Sequence, residues 1–323
     1  MTDAVKLIRE VCRWAGLAGY LADIQAGLDD DDILRAIETH DTAEVFDWLM
    51  MVVSYQGISD TVAAGYLEAH GNVGWREIAA SLDHADCPKL TGYWTFHDCG
   101  FRKSAAICRE PRRYDTCPLP WFDLRNGRLN QTAYSLYLFI RDIADGDLIG
   151  WIDGRIEQAA RDGGTPLDQG KAILEPLRNV HGVSDKVIAM ALSVLLMGAR
   201  PIRPTWFEVG IALIVVDTLV HQFLVRTGIL TRLGASHSYG PACYRPGGCA
   251  EIIMTIARRI DARRFNPAFP KVFPRFVQFA IWRYCSQAGL DICNGNRIHA
   301  AVQLSPVREG HREGQGSRPA SRR

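Results

Sequence analysis

The 323-residue chain lacks a dominant charge: 37 lysines and arginines meet 36 acids, for a formal net charge of +1. That balance argues against a uniformly basic nucleic-acid binder. Long apolar runs are also missing. The longest, 187–198 and 209–216, are too short to cross a bilayer. The start, Met1-Thr2-Asp3-Ala4-Val5-Lys6, has no basic stretch leading into an apolar one, so no secretory signal is expected and the chain reads as cytoplasmic. Strand-like alternation is rare and no internal repeat stands out. Among nine cysteines, none has a partner at Cys-x-x-Cys spacing. In a chain read as cytoplasmic, nine cysteines point to metal or catalysis rather than to disulfides.

Charge is present, but placed. Residues 87–117 carry six bases (Lys89, Arg102, Lys103, Arg109, Arg112, Arg113) against three acids, and 307–323 carry five arginines against two glutamates. Each segment is +3, leaving the remainder near −5. Local charge of this kind attracts phosphate whatever the total.

Apolar spacing of three to four residues recurs through most of the chain, which predicts an all-α fold. Helices are expected over 4–15, 30–38, 42–53, 60–69, 75–81, 131–143, 150–162, 170–177, 185–196, 218–227, 250–260 and 274–287. Residues 83–130 break the pattern with Cys, Pro, Gly and charge, and read as an irregular insert. The end, 303–323, has the Gly, Ser, Arg and Pro content of a disordered basic tail.

Two segments carry chemistry. Val180-His181-Gly182-Val183-Ser184-Asp185-Lys186 reads as a helix, a tight glycine turn and a second helix. Free N–H groups at that second helix start favour an anion such as a phosphate. An ordinary αα corner would read the same way. The second segment, Val216-Asp217-Thr218-Leu219-Val220-His221, opens another helix that ends at Arg226-Thr227-Gly228.

In that order, the two segments resemble the helix-hairpin-helix DNA glycosylases of the endonuclease III superfamily. Two further segments are similar to the family. Residues 49–56, ending in Gln56, look like its early helix whose Gln enters the duplex. Residues 276–285, Phe-Val-Gln-Phe-Ala-Ile-Trp-Arg-Tyr-Cys, look like the helix leading into its iron–sulfur loop. The match runs from about residue 40 to 293 around the insert. It departs from the family at His181 for Pro, Ser184 for the second hairpin Gly, and Leu219 for the His after Asp-Thr. The 31-residue step from Lys186 to Asp217 is also more than ten longer than usual.

The resemblance implies a two-lobed glycosylase-like fold. Residues 1–40 would pack on a C-terminal lobe formed by 211–302, with 41–210 as a central lobe holding the insert and the hairpin at 177–190. It implies a monomer acting on lesion-containing double-stranded DNA at the nucleoid. Base excision would use Asp217 as the carboxylate and Lys186 as an attacking amine, giving abasic-site lyase activity. Gln56, Gly182 and Ser184 would contact DNA. Two plainer alternatives stand: Asp217 as an ordinary helix cap, and Lys186 as a phosphate-contacting or exposed lysine. Trp206 and Phe207, in the extra stretch, are either base-stacking or core residues. A non-catalytic DNA-binding protein and a helical metalloprotein are the other readings.

The cysteines suggest a metal. Cys87-x11-Cys99-x8-Cys108-x8-Cys117 lies in the insert, where four thiols would bind zinc or an iron–sulfur cluster that folds it. Buried structural thiols are the alternative. Cys243-x5-Cys249 and Cys285-x7-Cys293 form a possible second set. The glycosylase cluster cannot be carried over to them, because Cys293 is followed by Asn294-Gly295-Asn296 rather than by further cysteines.

Overall fold

A computed structural model describes residues 1–55, 60–70, 74–102, 107–109, 117–120 and 129–287. The expected Gln56, Cys293 and the tail 303–323 lie outside these residues. Helix makes up 67% of the structure, so the fold is all-α. The helices are α1 Thr2–Ala15, α2 Tyr20–Asp30, α3 Ile33–Glu38, α4 Thr42–Ser54, α5 Asp60–His70, α6 Trp75–Leu82 and α7 Tyr93–Phe96. They continue with α8 Asn130–Ile143, α9 Leu148–Arg161, α10 Pro166–Leu177, α11 Asp185–Gly198, α12 Pro204–Ala212 and α13 Thr218–Arg226. The last three are α14 Ile229–Arg232, α15 Cys249–Ala257 and α16 Pro274–Gln287. The insert adds two antiparallel two-residue strands, β1 Phe101–Arg102 and β2 Ile107–Cys108.

Side chains at helical spacing build two core clusters. The first draws on the end of α2, then α3, α4, α6, α8, α9, α10 and α11, together with the insert residues Leu90, Tyr93, Phe96, Phe101 and Leu119. The second joins α1 and the start of α2 to α13, α14, α15 and α16. The division falls within α2: Leu28 packs in the first cluster with Ile33 and Ile37 of α3, while Tyr20 and Leu21 pack in the second with Ile8 of α1.

Helix α12 serves both clusters. Trp206 and Val209 face the first, and Phe207 and Ile211, on the opposite side of the turn, face the second. It lies against α11 at close range. A Cβ added to Gly210 would stand 2.9 Å from the Met197 amide nitrogen and 3.0 Å from Leu196 Cβ. Only a residue without a side chain allows two helix backbones that near. Helix α12 lies within the long step between Lys186 and Asp217, after the rest of α11. Trp206, fully buried, donates its indole N–H to Asp153 at 2.6 Å, and Phe207 is buried beneath Arg200, whose guanidinium is 4.5 Å from the ring centre. Both aromatics are core residues, unavailable for stacking on a base.

Gly210→Ala is expected to destabilise the fold by about 1–3 kcal/mol, because the methyl must displace backbone rather than a flexible side-chain end. Chemical unfolding checks this. An unchanged midpoint would contradict the close approach of α11 and α12.

Candidate metal centre and the neighbouring helix starts

The hairpin forms as its residues require. Helix α10 ends at Leu177, Val180 is buried, and Gly182 turns the chain at φ 76°. Ser184 then caps α11 in extended conformation (φ −88°, ψ 154°) without using its hydroxyl as a cap. Gly182 and Ser184 are both exposed. Asp185 reaches back across the turn to Arg178 at 3.0 Å and closes it. Lys186 is half-buried and, among the described residues, makes no ion pair.

Asp217 starts α13. Its carboxylate accepts from the Val220 amide at 2.8 Å, the bond of a standard N-cap, and the residue is buried. Just before it, the Val216 amide donates to the Tyr244 hydroxyl at 2.9 Å, and that hydroxyl donates on to the Val216 carbonyl at 3.3 Å. Burial pushes the Tyr244 phenol up, against the Val216 backbone bond, with Tyr239, Cys243 and Asp185 adding to the rise. Tyr244 thus remains a neutral donor, within electrostatic reach of the start of α11.

One turn beyond Asp217 is His221, 2% exposed. Its ring meets three residues from the following segment. His221 Nδ1 lies 3.3 Å from Cys249 Sγ and 3.5 Å from Cys243 Sγ, and Cys249 Sγ lies 3.4 Å from His237 Nε2. All four ligand atoms are within 4.8 Å of one another. A tetrahedral zinc with Zn–S near 2.3 Å and Zn–N near 2.0–2.1 Å spaces its N and S ligands about 3.6 Å apart, so the donor set fits. This group could hold a metal ion such as zinc.

The surroundings support ligation. The His237 Nδ1–H donates to the Ala235 carbonyl at 2.7 Å, which leaves Nε2 bare for an ion. Cys243 sits in the 3-10 turn Pro241–Tyr244 and Cys249 opens α15; both are fully buried. Gly248 makes the loop between them possible, since a Cβ there would be 2.4 Å from the Ala242 carbonyl. Burial first, then His237, lowers the His221 pKa below its ordinary value. Burial pushes the Cys249 thiol up, and Cys243 adds to it. A bound cation would reverse that thiol shift by taking up the thiolate charge.

Among the described residues the group that could hold a metal joins Cys243 and Cys249 to two histidines; Cys285, near the end of α16, is not in it, and Cys293 lies outside the described residues. Sequence spacing gave little warning of this. His221 reads as one residue of an amphipathic helix, and His237 stands alone in a loop. The only hint was two cysteines flanking a Gly-Gly-rich turn.

None of the described cysteines is in a disulfide, and the four insert cysteines, all of them described, do not form a group whose sulfurs lie close enough together to hold a metal ion. A cleft opens between the clusters, lined by residues including Arg178, Asp185, Leu213, Tyr244 and Arg258. Neither Lys186 nor Asp217 is among its lining residues. Among the described residues, no helix is long and apolar enough to cross a membrane. Comparison with family models, curated proteins and solved structures finds no match to this chain.

Because His221 is neutral in the fold, the site is intact above about pH 6.5 and is lost as pH falls below it, when imidazole and thiolate take up protons. The expected result is one equivalent of metal released from this centre between about pH 6.5 and 4, read by a zinc indicator. Cys249→Ser should remove that equivalent at neutral pH. Retention of the full metal content by the variant would disprove ligation.

Proposed function

We propose that the protein is a DNA glycosylase that excises a damaged or mismatched base from double-stranded DNA and can nick the resulting abasic strand. One observation supports this best. The start of α11, carrying Lys186, and the start of α13, carrying Asp217, approach the same Tyr244 beside an inter-cluster cleft. The exposed glycine turn at Gly182 and the unengaged Ser184 hydroxyl offer a phosphate contact.

The chemistry follows from charge. Breaking an N-glycosidic bond leaves positive charge on the sugar, and a fixed, buried carboxylate such as Asp217 stabilises it. The amine of Lys186 would attack C1′, release the base and give a Schiff base that leads to β-elimination. The target nucleotide must leave the stack to be reached. The His221 centre would be zinc in a structural role. An iron–sulfur cluster with two histidines and two cysteines separates the histidines and cysteines onto different irons. Here each sulfur is within contact distance of an imidazole nitrogen. Its work would be to hold the loop that carries Tyr244 against Val216, and so to fix Asp217.

Asp217→Asn separates the two roles of this residue, because asparagine caps a helix as well as aspartate does. The variant is expected to fold and to bind DNA normally, but to excise bases at least about 100-fold more slowly. Equal activity in a panel of lesion-bearing duplexes would reduce Asp217 to a cap. Borohydride with abasic-site DNA should trap a covalent adduct that Lys186→Ala abolishes. No adduct with the native protein would remove the lyase half of the proposal.

A further inference from the structure

Two helices wall the cleft between the core clusters. Helix α10 and its cap contribute Leu167, Lys171, Leu174 and Arg178, at steps of four, three and four residues that keep them on one face. Helix α15 and its cap contribute Ala250, Glu251, Met254, Thr255 and Arg258. The floor comes from Ala189 of α11 and from Leu213 and Ile214, which follow α12. Ala189 is 3% exposed, Leu213 2% and Ile214 6%, beside Met254 at 8%. A floor that meets so little solvent lies at the bottom of a narrow trough. A helix about 10 Å across would ride on its rim, whereas an extended chain can lie along it.

The charges of the walls are unevenly committed. Arg178 is held by Asp185 at 3.0 Å, and Glu251 accepts the Gly247 amide at 2.7 Å. Both acids of the lining belong to one end of the cleft, where Tyr244, Arg245 and the start of α15 meet the start of α11. Arg258 caps the other end of α15, seven residues beyond Glu251 and about 10 Å along the helix. Lys171 is equally far from Arg178 along α10. Among the described residues no acid lines the cleft at that end. Asp168, which Lys171 meets at 3.2 Å, is an exposed neighbour outside the lining, and such a surface pair holds its lysine weakly. Among the described residues, Arg258 makes no ion pair, and the Thr255 hydroxyl, one turn before it, makes no hydrogen bond.

An apolar trough with two cations and a free hydroxyl at one end complements a molecule divided the same way. Apolar carbon leaves water for the floor, a gain that grows with the area covered. An anionic head takes charge-assisted hydrogen bonds from the cationic end. A neutral chain would leave the cations unused, and a small anion would leave the trough empty.

We propose that the cleft binds an amphipathic organic anion. Its carboxylate or phosphate head is held by Lys171, Thr255 and Arg258, and its extended apolar chain runs along Leu174, Leu213 and Ile214. Neither Asp217 nor Lys186 lines this site, so the inference does not rest on the glycosylase reading.

Calorimetry on the full-length protein tests it with dodecanoate and dodecyl phosphate, each kept below the concentration at which it forms micelles. Saturation of one site per chain by either supports the proposal, with a negative heat-capacity change from the buried chain, and the tighter of the two names the head. Dodecanol and acetate each lack half of the ligand and should bind at least about tenfold more weakly. Equal binding of dodecanol would overturn the role of the cationic end, and equal binding of acetate would overturn the role of the trough. This series uses the native protein alone, so it does not depend on a variant folding. Arg258→Ala should weaken dodecanoate about tenfold. Ala250→Phe, which fills the trough from a half-buried position, should abolish binding. Native affinity in either variant would refute the site, as would the absence of any saturable binding. Binding to vesicles of anionic phospholipid without binding of free dodecanoate would also refute it, since attraction to a charged surface needs no cleft.

Discussion

The stretch from Asp217 to His221 is the constraint on which the candidate site depends. The carboxylate at its start holds the Val220 amide, and the imidazole one turn later meets two sulfurs and lies tilted against the His237 ring, centroids 5.2 Å apart. Helical geometry makes these one object. A residue and the fourth after it lie on the same face, so whatever fixes His221 also fixes the start of the helix. Tyr244 completes the frame from the other side, since its own loop is tied down by Cys243, immediately before it. The carboxylate is thus held by a capping bond below and a clamped backbone behind. That is the preorganisation an electrostatic catalyst needs, because its dipoles must already point correctly when charge develops.

A buried carboxylate at the start of a helix, with a candidate metal centre beneath it, divides labour within the fold. The first core cluster supplies the hairpin and the start of α11. The second supplies Asp217 and the loop that steadies it. Between them runs a cleft with both signs of charge on its walls: Arg178 and Arg258 against Asp185 and Glu251. Such a surface can take a phosphate backbone while repelling nothing neutral that enters with it.

Much of this was legible in the sequence. Helical periodicity located most helices to within a residue or two, because each has an apolar stripe wide enough to read. Helix α2 was missed: its stretch ends in Gly-Leu-Asp-Asp and changes allegiance between clusters midway, so no single stripe runs through it. Helix α12 was missed for a related reason, being apolar on opposite faces. Asp217 was visible as an acid opening a helix, whichever role it has. The two histidines of the candidate metal group were not visible, since nothing in local spacing links His221 to a loop histidine and two later cysteines. Ligands gathered from a helix, a loop, a 3-10 turn and a second helix become a set only in three dimensions.

The sharing of α11 and α12 between the two clusters has a mechanical consequence. Lobes that hinge are joined by strands of chain with few packed side chains. Here the joint is two helices whose backbones touch at Gly210, with buried residues on every side. Opening the cleft would mean pulling apart the core itself. The two core clusters are therefore joined through packed helices rather than through a loose stretch of chain.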